Sequence, residues 1–104
     1  MMKYTVAATS LAALGHDARL AIFRLLVRAG PDGLNIGDVG EQLNIAPSTL
    51  AYHLKMFVDA RLVSQERLGR QIMNRVDFDV MHETVSFLTA ECCTGIKLAK
   101  NDAA

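Results

Sequence analysis

Asn44 to Val76 reads NIAPSTLAYHLKMFVDARLVSQERLGRQIMNRV, and two periodicities meet in it. Leu50, Leu54, Phe57 and Val58 recur at helical spacing behind Pro47. That proline suits the first turn of a helix, where its missing N–H would have no partner anyway. Ser48, Thr49, Ala51, Tyr52 and Lys55 then fall on the opposite, polar face. From Leu62 the period changes. Residues 62–66 and 71–76 read as strands joined by Arg67-Leu68-Gly69-Arg70, with Gly69 supplying a positive φ. A helix of this kind fits the major groove of duplex DNA, and a basic ribbon beside it provides a second grip.

The flanking sequence builds a scaffold for that unit. Residues 34–44 hold a short helix with Val39 and Leu43 four apart, ended by Asn44. Residues 17–29, DARLAIFRLLVRA, put Leu20, Ile22, Phe23, Leu26 and Val27 on a broad apolar face, and Gly30-Pro31-Asp32-Gly33 closes it. Residues 5–14 carry Val6, Ala7, Leu11 and Leu14 and stop at Gly15. Downstream, Asp79 is placed to cap a last helix with Met81, Val85, Leu88 and Cys92 along one stripe. The tail, 96–104, reads as flexible. The expected order is α-α-α-α-β-β-α: a mainly α fold with a β-hairpin wing, a winged helix-turn-helix occupying residues 1–104 as a single domain.

Composition agrees with one compact core. The chain has 104 residues, 51% hydrophobic and 21% charged, a globular balance at the common size for one domain. That apolar content is high for so small a chain, so part of it is expected in a subunit interface. Formal net charge is zero, yet the charge is segregated. Residues 50–76 carry Lys55, Arg61, Arg67, Arg70 and Arg75 against Asp59 and Glu66, whereas residues 77–93 carry Asp77, Asp79, Glu83 and Glu91 with no Lys or Arg. A positive helix–hairpin face against an acidic remainder is the footprint of a nucleic-acid binder.

No secretory leader or bilayer-length apolar run is expected, which places the protein in the cytoplasm with no membrane partner. The sequence lacks a Ser-His-Asp order, a phosphate-cradling glycine loop, HExxH and Cys-x-x-Cys, so no enzyme is expected. The candidate DNA-contacting residues are Pro47, Ser48, Thr49, Ala51, Tyr52, His53 and Lys55 on the helix, with Arg70 at the hairpin tip. Ser48, Thr49 and Tyr52 offer hydroxyls to phosphates or base edges, and Lys55 and Arg70 offer cations. His53 has two readings, a base-reading donor or a partly buried, hydrogen-bonded structural residue beside Leu54.

Over roughly Leu11 to Cys93 the chain resembles the ArsR–SmtB family of small winged-helix repressors. The resemblance rests on ALGHDARLAIFRLL with Arg19 and Leu20, on PSTLAYHLKMFVDARLV, and on RLGRQIMNRV. It implies a homodimer, built through the first and last helices, that sits on operator DNA and leaves it when an inducer binds. By position it assigns operator contacts to Ser48, Thr49, Ala51, Tyr52, Lys55 and Arg70. This chain departs from the pattern at Ala51, where Ser is frequent, and at Arg61, where Gly is usual.

The two cysteines, Cys92 and Cys93, are adjacent. Neighbouring cysteines seldom bond to each other because the ring is strained. As a pair of soft ligands they suit a thiophilic metalloid, As(III) or Sb(III), with a third ligand from the other subunit, a small thiol or solvent. Within the resembled family, the Cys-x-Cys arsenic site of the third helix has no counterpart in IGDVGEQL. The zinc-type Asp-x-His of the last helix is likewise missing at Asp79-Val80-Met81. TAECCTG resembles a subgroup with a Cys-Cys pair at the end of that helix, without the further Cys often found there. A methylated arsenical needing two thiols is therefore a second candidate inducer. No cofactor is expected for DNA binding itself. The alternative sensor reading is a thiol redox or reactive-sulfur switch on the same fold.

Overall fold

A computed structural model describes residues 2–98, and the part of the expected flexible tail at 99–104 lies outside the described residues. The chain forms α1 (Tyr4–Leu14), α2 (Asp17–Ala29), β1 (Leu34–Asn35), α3 (Ile36–Leu43), α4 (Pro47–Asp59), β2 (Val63–Leu68), β3 (Gln71–Val76) and α5 (Phe78–Thr89), with one 3-10 turn at Gly30–Asp32. This is a winged helix-turn-helix, and the expected order needs one addition. Leu34 and Asn35 pair antiparallel with Asn74 and Met73, so the wing is a three-stranded sheet in the order β1-β3-β2.

The core lies where α2, α3 and α4 meet the base of the wing. Ile22, Leu26, Val39, Leu50, Leu54, Phe57 and Leu62 have no exposed surface, each contributing about 1.5–3 kcal/mol of burial. Phe23 and Phe57 pack with ring centroids 5.5 Å apart. Leu20, expected in the core, is exposed, and Val27 and Val58 are half-buried. α1 buries its small side chains, Ala7, Ser10 and Ala13, rather than Val6 and Leu11. Small residues let its backbone approach the core closely and leave the larger apolar ones facing outward.

Local chemistry explains the boundaries. Asn44 ends α3 in the left-handed region, φ 54° and ψ 51°, a conformation its short polar side chain tolerates. Asn44, Ile45 and Ala46 then form the turn into α4. α4 ends in a Schellman motif: the Arg61 N–H donates to the Val58 carbonyl at 3.0 Å and the Leu62 N–H to the Phe57 carbonyl at 2.9 Å. Arg61 occupies the position that favours glycine, with φ 64°. Arg61→Gly is therefore expected to raise stability by up to about 1 kcal/mol, the left-handed penalty less the added freedom of the unfolded chain. Thermal melting would show it as a small rise in Tm, and a fall would contradict the account.

The hairpin is tighter than expected. β2 runs through Leu68, so the connection is Gly69-Arg70 alone. Only Gly69 of the two has positive φ, at 64°, as a type II′ turn requires. Behind the hairpin, Asn74 is fully buried. Its amide nitrogen donates to the Leu34 and Ile72 carbonyls at 3.2 Å each, and its Oδ1 accepts from Gln65 Nε2 at 2.8 Å. One side chain thus ties all three strands together.

Asp77, not Asp79, caps α5, accepting from the Val80 N–H at 3.1 Å. α5 stops at Thr89, so Cys92 and Cys93 lie beyond the helix rather than on its last turn. Phe87, stacked edge-on against Tyr4 at 5.0 Å, is its last half-buried anchor, and every described residue after it is exposed. Without packing to hold another helical turn, the chain makes successive tight turns with Glu91 at φ 60° and Cys93 at φ 64°.

Candidate nucleic-acid interface and thiol pair

α4 presents Pro47, Ser48, Thr49, Ala51, Tyr52 and Lys55 to solvent as one exposed face, with Tyr52 at 59% exposure. Leu50, Leu54 and Phe57 fix that face by locking the opposite side into the core. Ala46 precedes the helix and offers no side-chain cap, whereas His16, Asn35 and Asp77 cap α2, α3 and α5. The first N–H groups of α4 are thereby open to an anion, and the helix dipole favours one there.

His53 departs from the rest of the expected set. It is 6% exposed and turned inward, so its side chain does not share the solvent-facing surface and the structural reading holds. Lys55 stands on that surface but pairs with Asp59 at 3.0 Å. Both ends of this i,i+4 pair are well exposed, so the bond is weak and a phosphate competes readily for the lysine. On the wing, Arg75 is held inward by Glu66 at 2.7 Å and by the Pro31 carbonyl at 3.1 Å. Among the described residues Arg61, Arg67 and Arg70 make no ion pair. Arg70 sits at the tip, as expected. Arg67, which the sequence reading left out of the contact set, sits one cross-strand pair behind it, opposite Ile72. Its signal was its alternation with Gln65 on a strand assumed to end at Glu66.

Cys92 and Cys93 are exposed, with Sγ atoms 3.1 Å apart. The hydrogen bond to Cys93 pushes the Cys92 thiol above its ordinary value, with desolvation adding in the same direction. At a metal–sulfur bond of about 2.3 Å, two sulfurs at this separation subtend roughly 85°, whereas a tetrahedral ion needs them about 3.8 Å apart. Both side chains are exposed and close enough for their sulfurs to reach one soft ion. Among the described residues no group of three or more His, Cys, Asp or Glu side chains is arranged to hold a metal ion, so a third ligand would come from elsewhere. The rings of His16 and His53 lie 5.1 Å apart.

This geometry is that of the winged helix-turn-helix class. A family model described as a helix-turn-helix domain matches residues 14–66. The chain belongs to that family, and its structure is similar to those of ArsR-type transcriptional regulators. It is 40% identical over 58 residues to the uncharacterized HTH-type transcriptional regulator YceK of Bacillus subtilis (strain 168), a match spanning 56% of this chain and 57% of that protein. It is similar to an ArsR-like transcriptional regulator from Rhodococcus sp. RHA1, with 25% identity, a TM-score of 0.72, and coverage of 82% of this chain and 77% of the other. It is also similar to the AntR antimony-specific transcriptional repressor, with 26% identity, a TM-score of 0.63, and coverage of 78% and 72%. These relatives are regulators rather than enzymes. Among the described residues no helix is long and apolar enough to cross a membrane.

Proposed function

We propose that the chain is a homodimeric repressor, released from operator DNA when Cys92 and Cys93 chelate a trivalent thiophilic metalloid. The observation that carries this is the exposed dithiol, 3.1 Å between sulfurs, set directly after the helix that packs on α1. The likeness to an antimony-specific repressor supports it. Entering as a trihydroxide, As(III) or Sb(III) exchanges two hydroxyls for the two thiolates and releases two waters. The third position keeps hydroxide or takes a further thiol, and in a monomethyl arsenical it is already the methyl group. The thiol protons leave in the waters, so a raised thiol pKa is no obstacle. The same raised pKa lowers the thiolate fraction and disfavours the alternative, a fast oxidant or reactive-sulfur sensor.

The dimer is inferred from surface left on the two outer helices. Tyr4, Val6 and Leu11 on α1 and Val85 and Leu88 on α5 are exposed, the last two at 56% and 59%. A second copy covering this belt would fix the separation of two α4 helices for successive major grooves. Metalloid at the end of α5 then favours a separation that no longer fits, and operator DNA weakens metalloid binding reciprocally.

The test is anisotropy of a labelled duplex, selected by this protein from a random pool, with increasing arsenite or antimonite. Release at metalloid concentrations stoichiometric with the dithiol is expected, and binding indifferent to both ions would refute the sensor. In the same assay Arg70→Ala is expected to weaken binding and to reduce the slope of log affinity against log salt by about 0.9, one phosphate contact. An unchanged slope would remove the wing from the interface.

A further inference from the structure

Behind the groove-facing side of α4 lies a joint that the operator reading does not use. Arg19 of α2 donates from Nε to the Ala13 carbonyl at 2.7 Å, in the last turn of α1. Its Nη1 stands 3.4 Å from Nδ1 of His53. α1, α2 and α4 therefore meet at one guanidinium. From the α1–α2 turn His16 brings its ring to 5.1 Å from that of His53, and on α4 itself the Tyr52 ring stands 5.7 Å away. Among the described residues no carboxylate lies within ion-pair distance of His53.

We infer that Arg19 and His53 form a proton-sensitive positioning joint that holds α4 in its DNA-reading pose only while His53 is neutral. The inference rests on the operator-binding reading above. Arginine has donors and no acceptor, and stays charged throughout the working range of proteins. The His53 nitrogen facing it must then be the lone-pair nitrogen, which leaves the proton on Nε2. A second proton has to go onto Nδ1, where it removes the acceptor that Nη1 has among the described residues and sets two cations against each other at a ring only 6% exposed. Arg19 cannot retreat without giving up its bond to the α1 carbonyl, so the strain falls on the α4 contact. Burial first, then the Arg19 charge, then His16, all push the His53 pKa below its ordinary 6.5.

The sign follows from linkage. A histidine with a depressed folded-state pKa contributes stability that is fully present above its unfolded value of about 6.5 and is lost as pH falls toward the folded value. In the folded, unbound protein His53 takes its second proton only at the lowered value, so operator affinity should fall as pH drops through and below that value, by at most tenfold per pH unit, the limit for one proton. That direction is diagnostic, because a histidine exposed to phosphates gains affinity when it protonates.

The experiment titrates the pool-selected duplex between about pH 7.5 and 4.5 with wild type, His53→Gln and His16→Asn, the last keeping an acceptor to cap α2. Affinity of wild type and His16→Asn is expected to fall several-fold, and that of His53→Gln to stay level whatever its value at neutral pH. Proton NMR should place the wild-type His53 titration below that of the urea-unfolded chain, and Arg19→Gln should raise it. Protection factors of α4 amides should drop on acidification in wild type. A wild-type affinity that is flat or rises in acid overturns the joint, as does a fall retained by His53→Gln. A pool that yields no duplex sinks the DNA reading instead. The joint is then decided by the NMR titration and amide protection, which need neither DNA nor a folded variant, and a His53 titrating at the unfolded value rejects it.

Discussion

Gly33→Ala is expected to destabilise the chain by roughly 3 kcal/mol or more, combining a left-handed backbone penalty with overpacking. Gly33 sits at φ 71°, and a Cβ built there falls onto the Asn74 carbonyl oxygen and within 2.7 Å of Arg75 Cγ. Neither neighbour is free to yield. The Asn74 backbone pairs with β1 and β2 at once, and Arg75 is held by Glu66 and by the Pro31 carbonyl. In a domain of this size the loss corresponds to a fall in Tm of about 12–24 °C. Gly69 separates the two contributions, since it has nearly the same φ, 64°, but nothing within 4 Å of a built Cβ. Gly69→Ala should cost only about 1 kcal/mol. Thermal or urea denaturation of both variants checks the pair, and equal losses would show that backbone strain alone matters at Gly33.

Replacing Cys92 and Cys93 together by Ser should leave operator affinity intact and abolish release by As(III) or Sb(III). Both side chains are exposed and follow the last packed turn of α5, so their loss touches no core contact. In wild type, metalloid is expected to weaken DNA binding by about 5- to 150-fold, the usual range of coupling between two sites. In the double variant the ratio should be one. Each single variant keeps one sulfur and loses the chelate, so it should resemble the double. Zinc at equal concentration should leave wild-type binding unchanged, because two thiols with no further ligand beside them among the described residues leave a four-coordinate ion half-bound. A double variant that still lets go of DNA on arsenite addition would place the sensor elsewhere.

Most of the architecture was written in local signals. α2 runs from Asp17 to Ala29 as read, because a continuous apolar stripe ends in the Gly-Pro-Asp-Gly turn, and α4 starts at Pro47 for the reason given by its missing N–H. What escaped depends on partners distant in sequence. β1 is only Leu34–Asn35, and it exists because Asn74 and Met73, some forty positions later, supply the facing edge. The far end of α5 was read from a stripe that continues to Cys92, whereas a helix persists only where tertiary packing supports it, and none does past Phe87. For the site, the exposed face of α4 followed from helical period alone. The inward turn of His53 needed Arg19 and the carbonyl of Ala13, which no spacing rule brings together, and the thiol separation needed the turns after Thr89.

The placement of the two cysteines past the final packed residue bears on how such a regulator diversifies. From Thr89 to Leu98 every described residue is exposed, so substitutions there, Gly95 with its positive φ apart, are nearly neutral for folding. Ligand-binding residues can be gained, lost or exchanged in this stretch while the DNA-reading helix keeps its core contacts. A sensor built there, as proposed, can change its ligand chemistry without disturbing the core that holds α4.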